Sequence, residues 1–208
     1  MTAGEPPVAD EPVALPVSES RVLHEGRVLD LVSETVDLGE GGRVTREFVR
    51  HPGAVAVVAL DEQGRVLLLR QYRHPVRAYL WEVPAGLLDV PGEPLVDAAR
   101  RELAEEADLT AGRWDTLVDY YTSPGGSDEA LRVFLARDLA EVPEDARHTR
   151  SEEELGMRAA WVPLRDAVQL VLGGAVHNPS AVAGLLGAQA AQAQGWAPLR
   201  PADAAWVR

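Results

Sequence analysis

The sequence predicts an α/β or α+β sandwich. Short apolar runs that are typical of strands alternate along the chain with segments of helical periodicity. The 208 residues, 46% of them hydrophobic, also suffice for one domain with a core of its own. We therefore expect a single main domain that carries a small appended element.

The strand predictions rest on β-branched enrichment and on apolar runs. Residues 28–32 and 44–49 are rich in valine and other strand-forming side chains. Residues 54–60 are almost entirely apolar, which is typical of a strand buried on both faces. Residues 61–64 form a turn signal, so residues 65–70 are expected to return as the second strand of a hairpin. Further short strands are expected at residues 80–83, 114–122, 130–136 and 161–162.

Helical periodicity is clearest in residues 95–107, where Leu95, Ala99 and Leu103 recur every four residues. Two more helices are expected at residues 164–172 and 180–194.

These elements divide the chain into four parts. Residues 1–16, which are acidic and proline-rich, are expected to be loosely ordered. Residues 17–50 form a β-region that is too small to bury its own core and is expected to mediate dimerisation. Residues 51–194 form the main domain, and residues 195–208 form a C-terminal tail.

Composition excludes several classes of function. The formal net charge of -13 argues against nucleic acid as a partner, because phosphate backbones require clustered positive charge. All 20 basic residues are arginine, which excludes Schiff-base lysine chemistry and a lysine-dependent phosphate loop. The absence of cysteine excludes thiolate nucleophiles and zinc–thiolate sites.

The N-terminal residues do not resemble a targeting signal. They contain no basic segment followed by an apolar one, and no apolar run in the chain approaches the ~18 residues that span a bilayer. We therefore expect a cytoplasmic protein without a membrane partner.

The strongest chemical signal is a group of three glutamates, Glu102, Glu105 and Glu106. In a helix they project from one face, where their oxygens suit Mg²⁺, with Mn²⁺ as the alternative metal. Taken alone, such a group is more often a solvated acidic surface. A glycine-containing loop before the helix, which can bring backbone carbonyls close to a metal, favours the metal site.

This segment resembles the Nudix box, G-x5-E-x7-R-E-U-x-E-E-x-G-U, in which U is aliphatic. The spacing from Glu93 to Arg101 and the run Arg101-Glu102-Leu103-x-Glu105-Glu106 fit the pattern. The loop between Gly86 and Glu93 is one residue longer than in the pattern, and Asp108 stands in place of the last glycine. The resemblance implies the Nudix fold, a mixed β-sheet between helices.

Other segments resemble the ADP-ribose pyrophosphatase branch of this superfamily, and the longer loop resembles its actinobacterial members. These segments are Gln71-Tyr72-Arg73, the run from Trp81 to Gly86, and the loop at residues 123–129. In that branch a proline lies about fifteen residues beyond the box, as Pro124 does here. The resemblance implies hydrolysis of ADP-ribose to AMP and ribose 5-phosphate.

The resemblance also implies a metal site. It assigns Glu102, Glu106 and the carbonyl of Ala85 to two or three divalent metals, which would neutralise the diphosphate and activate a water. It assigns Glu105 to the same site, either as a direct ligand or through water, and as a catalytic carboxylate.

Substrate contacts are assigned in the same way. Arg73 is expected to clamp the diphosphate, and Glu82 to bind the adenine. Arg46 and Pro124 are expected to be further substrate contacts. The general base of this branch is a glutamate on the loop before the last strand. Glu152, Glu153 and Glu154 occupy that loop, and alignment from Trp161 favours Glu153 or Glu154, whereas the alternative interpretation of the run is a solvated loop.

Two alternatives to ADP-ribose hydrolysis remain at this stage. In the first alternative, the substrate is another nucleoside diphosphate sugar. In the second, the protein senses ADP-ribose-like ligands without cleaving them. The intact glutamates disfavour the second. In this branch the enzymes are typically homodimers, so we expect a homodimer in which the N-terminal strands pair across a two-fold axis.

Overall fold

The structure is a computed structural model that describes residues 8–149 and 156–206. Its strands, in chain order, are β1 (Val17–Glu25), β2 (Asp30–Asp37), β3 (Arg43–Arg50), β4 (Ala54–Ala59), β5 (Arg65–Arg73), β6 (Ala78–Glu82), β7 (Ala85–Leu87), β8 (Leu109–Tyr121), β9 (Ala130–Glu141), β10 (Arg158–Pro163) and β11 (Arg200–Pro201). Its helices are α1 (Leu95–Ala107), α2 (Leu164–Leu172) and α3 (Pro179–Ala193).

A five-stranded central sheet, in the order β11-β8-β9-β4-β7, organises the main domain. Strands β4 and β9 run parallel, and the other pairs are antiparallel. All six residues of β4 are buried, as the apolar run predicts. A strand in the middle of a sheet that is covered on both faces has no solvent-facing side, so polar residues are not favoured on either face.

Helices cover both faces of the central sheet. Val55 and Val57 of β4 pack with Ala98, Ala99 and Leu103 of α1 in one apolar cluster. The alternate residues of β4 belong to a second cluster with α2 and α3. Each fully buried valine contributes roughly 1.5–3 kcal/mol. The predicted sandwich, a mixed sheet between helices, is thus confirmed.

The predicted hairpin of β4 and β5 is correct only at its turn. Gly64 N–H donates to the carbonyl of Asp61 at 3.0 Å, and a single bridge joins Leu60 to Val66. Beyond this point β5 belongs to a separate outer sheet, whose strand order is β10-β5-β6. The reason is that both edges of β4 are already occupied, by β9 and by β7.

The first three strands form an antiparallel N-terminal sheet, in the order β1-β2-β3. Every residue of β1 is exposed. Val49 of β3 attaches this sheet to the main domain, because its N–H donates to Gly126 O and its carbonyl accepts from Asp128 N–H. The attachment places the N-terminal sheet against the loop that carries Pro124.

The C-terminal segment packs along the central sheet. Strand β11 pairs with Asp115 and Thr116 of β8. Arg132 of β9, which is buried, donates to the carbonyls of Ala204 and Ala205. Among the described residues, no helix is long and apolar enough to cross a membrane.

Candidate active site

Helix α1 presents the three box glutamates beside one another. It buries Ala98, Ala99 and Leu103, which leaves the glutamates on the partly open side. The helix ends at Asp108, which adopts the left-handed conformation with φ 54° and ψ 34°. Asp108 therefore takes the backbone shape that glycine provides in the box pattern.

The short strand β7 brings the backbone of Ala85 and Gly86 against these glutamates. The sequence predicts a loop here, but β7 pairs with β4 in the register Val55 to Gly86. A Cβ atom on Gly86 would lie 2.0 Å from the Glu102 carboxyl carbon, far inside van der Waals contact. Glycine is therefore needed for the Glu102 carboxylate to approach the strand.

Glu106 contacts the same strand. The Ala85 N–H donates to Glu106 Oε2 at 2.9 Å. Ala85, Glu102 and Glu106, which the sequence analysis assigns to metal, are thus brought together by two close approaches between α1 and β7.

Arg101 lies at the centre of the carboxylates. Its Nε and Nη2 donate to the two oxygens of Glu93, at 3.3 and 3.1 Å. Its Nη1 donates to Glu102 and lies 3.5 Å from Glu105 Oε2. The guanidinium therefore offsets the repulsion among acids that share one helical face.

Burial and the charge of Arg101 act in opposite directions on the pKa of Glu102. Burial raises the pKa of its carboxyl group above the ordinary value, and Arg101 only partly offsets this. Hydrogen bonds to Glu93 raise the pKa of Arg101, against the effect of burial, so the guanidinium stays charged. A partly buried carboxylate whose loss of hydration is not fully compensated favours the approach of a cation.

The residues present fit a hard divalent cation. The donor set consists of carboxylate and carbonyl oxygens, which Mg²⁺ and Mn²⁺ prefer, and Gly86 leaves room for the Glu102 carboxylate beside β7. Within the described ranges no three acidic or histidine side chains converge tightly enough to form a preassembled metal cage. The reason is that Arg101 and the Ala85 N–H hold the carboxylates in this structure.

A narrow cleft runs from Glu106 to the end of the outer sheet, where it is lined by Arg73, Glu82 and Ala85. Arg73 donates from Nε and Nη2 to both oxygens of Glu82, at 2.9 and 2.7 Å. Glu82 is buried, whereas the Arg73 side chain is 41% exposed. The two residues predicted to bind substrate thus form a bidentate pair at the cleft.

Arg46 and Pro124 line a second cleft of about 470 Å³ between β3 and the loop at residues 122–129. Phe48 and Tyr121 lie in the same cleft. It shares no lining residue with the cleft of Arg73. The predicted substrate residues therefore fall into two groups.

Of the three glutamates predicted to be catalytic, the structure describes only Glu105. Glu152, Glu153 and Glu154 fall outside the described residues. Glu105 is described, and it lines a depression with Arg101 and His148 on the outer side of α1.

The comparison with family models shows the family of the chain. Residues 50–182 match the model of the NUDIX domain, and they include α1, β7 and both residues of the Arg73–Glu82 pair. The chain belongs to the Nudix family.

Several relatives of this Nudix hydrolase are described as ADP-ribose pyrophosphatases. The one from Mycobacterium tuberculosis is 46% identical over 188 residues, which is 90% of this chain and 89% of the relative. The one from Bacillus subtilis is 40% identical over 149 residues, or 72% of this chain and 78% of the relative. A crystal structure of an ADP compounds hydrolase has the same fold, with a TM-score of 0.68 and 20% identity over 90% of this chain and 99% of the other. The predicted membership of the ADP-ribose pyrophosphatase branch is confirmed.

Sequence reasoning missed two features of the Nudix site. The first is the ion pair between Arg73 and Glu82. Arg73 pairs with Ala78 and Leu69 pairs with Glu82 across β5 and β6, so the ion pair joins opposite ends of this ladder and strand register does not indicate it. The second is a cavity beside Glu106, to which Arg147 and Trp161 contribute. These residues come from separate loops and strands, so no local motif indicates them.

Proposed function

We propose that this Nudix hydrolase is a Mg²⁺-dependent pyrophosphohydrolase that cleaves ADP-ribose to AMP and ribose 5-phosphate. The observation that carries the proposal is the approach of Glu102 to Gly86 and of Glu106 to Ala85. It joins the box carboxylates to the segment at residues 81–86, which carries the resemblance to the ADP-ribose branch. The names of the relatives support the same substrate.

The metal, Mg²⁺ with Mn²⁺ as the alternative, would be held by Glu102, Glu106 and the Ala85 carbonyl, with Glu105 directly or through water. When bound, it supplies charge neutralisation for the diphosphate and lowers the pKa of a bound water. Arg101 offsets part of the increase that burial causes in the pKa of Glu102. The protein thereby provides a set of oriented carboxylates rather than a finished cage.

Substrate orientation would fall to the two groups of residues described above. Arg73 is exposed enough to meet a diphosphate while Glu82 fixes the plane of its guanidinium. Glu82 is the proposed adenine contact. Nucleotide binding would then replace part of the hydrogen bonding between Glu82 and Arg73 with a contact to the adenine. Arg46 and Pro124, which share a cleft, are proposed as contacts outside the diphosphate.

In the hydrolytic step a water oxygen forms a bond to one phosphorus and the bridging P–O bond breaks in line with it. The water proton passes to a carboxylate, for which Glu153, Glu154 and Glu105 are the proposed acceptors. Substitution of each by glutamine identifies the base, because the variant that lacks it loses kcat while KM changes little.

Product identification tests the proposed reaction. The protein is incubated with Mg²⁺ and, separately, ADP-ribose, a GDP-sugar and a UDP-sugar, and the products are resolved by chromatography and mass spectrometry. AMP plus ribose 5-phosphate, with the highest kcat/KM for ADP-ribose, is expected. A higher kcat/KM for the GDP-sugar or the UDP-sugar would show that this compound, rather than ADP-ribose, is the preferred substrate.

The control for this experiment is Glu106→Gln, which keeps the size of the side chain but removes its charge. Turnover is expected to fall at least a hundredfold in this variant. Tight binding of ADP-ribose by the unmodified protein without turnover would instead favour the sensing role.

We further propose a homodimer that forms through the N-terminal sheet. Support comes from β1, which is exposed along its whole length and carries Val22 and Leu23 at 50% and 40% exposure. Light scattering at micromolar concentration is expected to give twice the chain mass, and Leu23→Glu is expected to weaken association. A monomer mass for the unmodified protein would contradict the proposal.

A further inference from the structure

A cavity of about 330 Å³ opens beside the box helix, on the side of Glu106 away from Arg73. Its apolar wall is formed by Leu67, Met157 and Trp161. Its polar wall is formed by Asp108, Glu141 and Arg147. The function proposed above assigns no role to this cavity.

The cavity adjoins the narrow cleft of Arg73. Leu69, Glu106 and Met157 line both spaces, so the two meet at Glu106. The cavity, unlike the narrow cleft, has room for one half of a substrate whose diphosphate lies at the box carboxylates. A volume of 330 Å³ is at the lower end of small-molecule sites, which suits one half of a nucleotide sugar rather than the whole.

The lining has the chemistry of a sugar site. A sugar presents C–H groups, which pack on an indole ring such as that of Trp161, and hydroxyl groups, which donate hydrogen bonds to carboxylates. The fold brings two carboxylate-bearing residues to one wall, because Leu109 pairs with Glu141 and Val142 N–H donates to the carbonyl of Asp108. Arg147 donates to Glu141 at 3.3 Å and so orients one of them.

Asp108 is the distinctive member of this wall. It occupies the position where the box pattern has glycine, and it accepts a left-handed backbone with φ 54° to do so. A glycine would give the same helix end without a carboxylate. The aspartate thus adds a hydrogen-bond acceptor to the cavity at a position where glycine adds none.

We propose that this cavity binds the sugar-phosphate half of the substrate and that Asp108, together with Glu141, determines specificity by accepting hydrogen bonds from the sugar hydroxyls. The inference rests on the proposed function, because the diphosphate must lie at the box carboxylates for one half to reach the cavity. It assigns to Asp108 a role that the box pattern does not contain.

Equilibrium binding tests the inference without turnover. The dissociation constants of ribose 5-phosphate and of inorganic phosphate are measured by calorimetry on the full chain with Mg²⁺. The unmodified protein is expected to bind ribose 5-phosphate at least tenfold more tightly. Asp108→Asn is expected to lose roughly tenfold of that preference, or about 1.4 kcal/mol, with the affinity for inorganic phosphate unchanged.

The matched control is Asp138→Asn. Asp138 also has a left-handed backbone, with φ 56°, but it does not line the cavity, so its substitution is expected to leave the preference unchanged. Glu141→Gln, on an exposed strand end, provides a second variant that reports on the same wall if Asp108→Asn fails to fold.

Two results would overturn the inference. The first is equal affinity of the unmodified protein for the two probes, and the second is an unaltered preference in both cavity variants. Hydrolysis of ADP-ribose is measured on the same samples. A preserved preference without hydrolysis would reject the proposed function, whereas hydrolysis without the preference would reject the cavity assignment alone.

Discussion

The Glu102 carboxylate can lie against β7 because the side chain of Gly86 is a hydrogen atom and not a methyl group. The Gly86→Ala variant would place its Cβ 2.0 to 2.5 Å from the Glu102 carboxyl atoms, so the carboxylate must move. A displacement of about 1 Å at a reacting centre costs on the order of a hundredfold in rate, and kcat/KM is expected to fall by that factor. Steady-state kinetics with ADP-ribose measures the loss.

Gly112→Ala is the control for this substitution. The nearest neighbour of its Cβ is Asp138 Cβ at 3.3 Å, remote from the carboxylates, and activity is expected to stay within twofold. Unchanged activity in Gly86→Ala, with the fold intact by circular dichroism, would show that the close approach is not required.

Asp108 has a stability consequence of its own. A non-glycine residue in the left-handed region costs roughly 1 kcal/mol, so Asp108→Gly is expected to raise the free energy of unfolding by about that amount. Urea denaturation measures the change. A decrease would indicate that the contacts of the Asp108 side chain outweigh the backbone strain.

Helix α3 packs closely on the central sheet because Gly184 has no side chain. A Cβ there would lie 2.8 Å from Val58 and 3.1 Å from Val133, both fully buried. Gly184→Ala is expected to destabilise the protein by about 1–3 kcal/mol, despite the better helix propensity of alanine. Thermal or urea unfolding gives the value.

A double-mutant cycle with Val58→Ala identifies the cause of this loss. If crowding is responsible, the second substitution provides room, and the double variant loses less stability than the sum of the two single variants. Simple additivity would point to another cause.

The sequence predicts the elements that carry local periodicity and predicts less well those that depend on distant partners. Helices α1 and α2 have the predicted bounds, because their apolar residues recur on one face. Strands β8 and β9 extend beyond the predicted ranges, since residues such as Arg113 and Arg137 pair across the ladder although their side chains do not suggest a strand. Strand β7 is missed because only its pairing with β4 makes Ala85–Leu87 extended.

The site follows the same rule. The spacing of Glu102, Glu105 and Glu106 on one turn of helix is visible in the sequence. The contacts of Glu102 with Gly86 and of Glu106 with Ala85 depend on how α1 lies against β7, which local spacing does not encode.

At the scale of the whole molecule, a charge network around the buried Arg132 fastens the C-terminal segment to the central sheet. Asp119 accepts from Arg132 at 2.7 and 2.9 Å and from Arg200 at 2.9 Å. Removing the carboxylate leaves Arg132 buried without its ionic partner, and Asp119→Ala is expected to cost about 3–5 kcal/mol. Urea denaturation at neutral pH measures this cost.

The same network predicts a dependence of stability on pH. Burial acts to raise the pKa of Asp119, but the hydrogen bonds from Arg132 and Arg200 outweigh it and hold the pKa below its ordinary value of 3.8. The stabilisation is therefore present above pH 3.8 and is lost as the pH falls below it. The slope of unfolding free energy against pH in this acidic range is expected to be shallower in Asp119→Asn.

Asp97→Asn, an exposed carboxylate on α1 paired with Arg100, is the control and should keep the slope of the unmodified protein. An equal slope in Asp119→Asn would exclude Asp119 as the source of the pH dependence.

The parallel pairing of β4 with β9 governs when the site can form during synthesis. Residues 54–59 lie beside residues 131–136, and strands β5 to β8 together with α1 occupy the intervening chain. A nascent chain that has reached only the box helix lacks the strand that closes the central sheet beneath it, so its glutamates have no fixed position. Translation must pass β9 before the carboxylates can be aligned, and folding is expected to be slower than in domains built from local contacts. Ribosome-bound chains stalled before and after β9 would differ in protease resistance at this step.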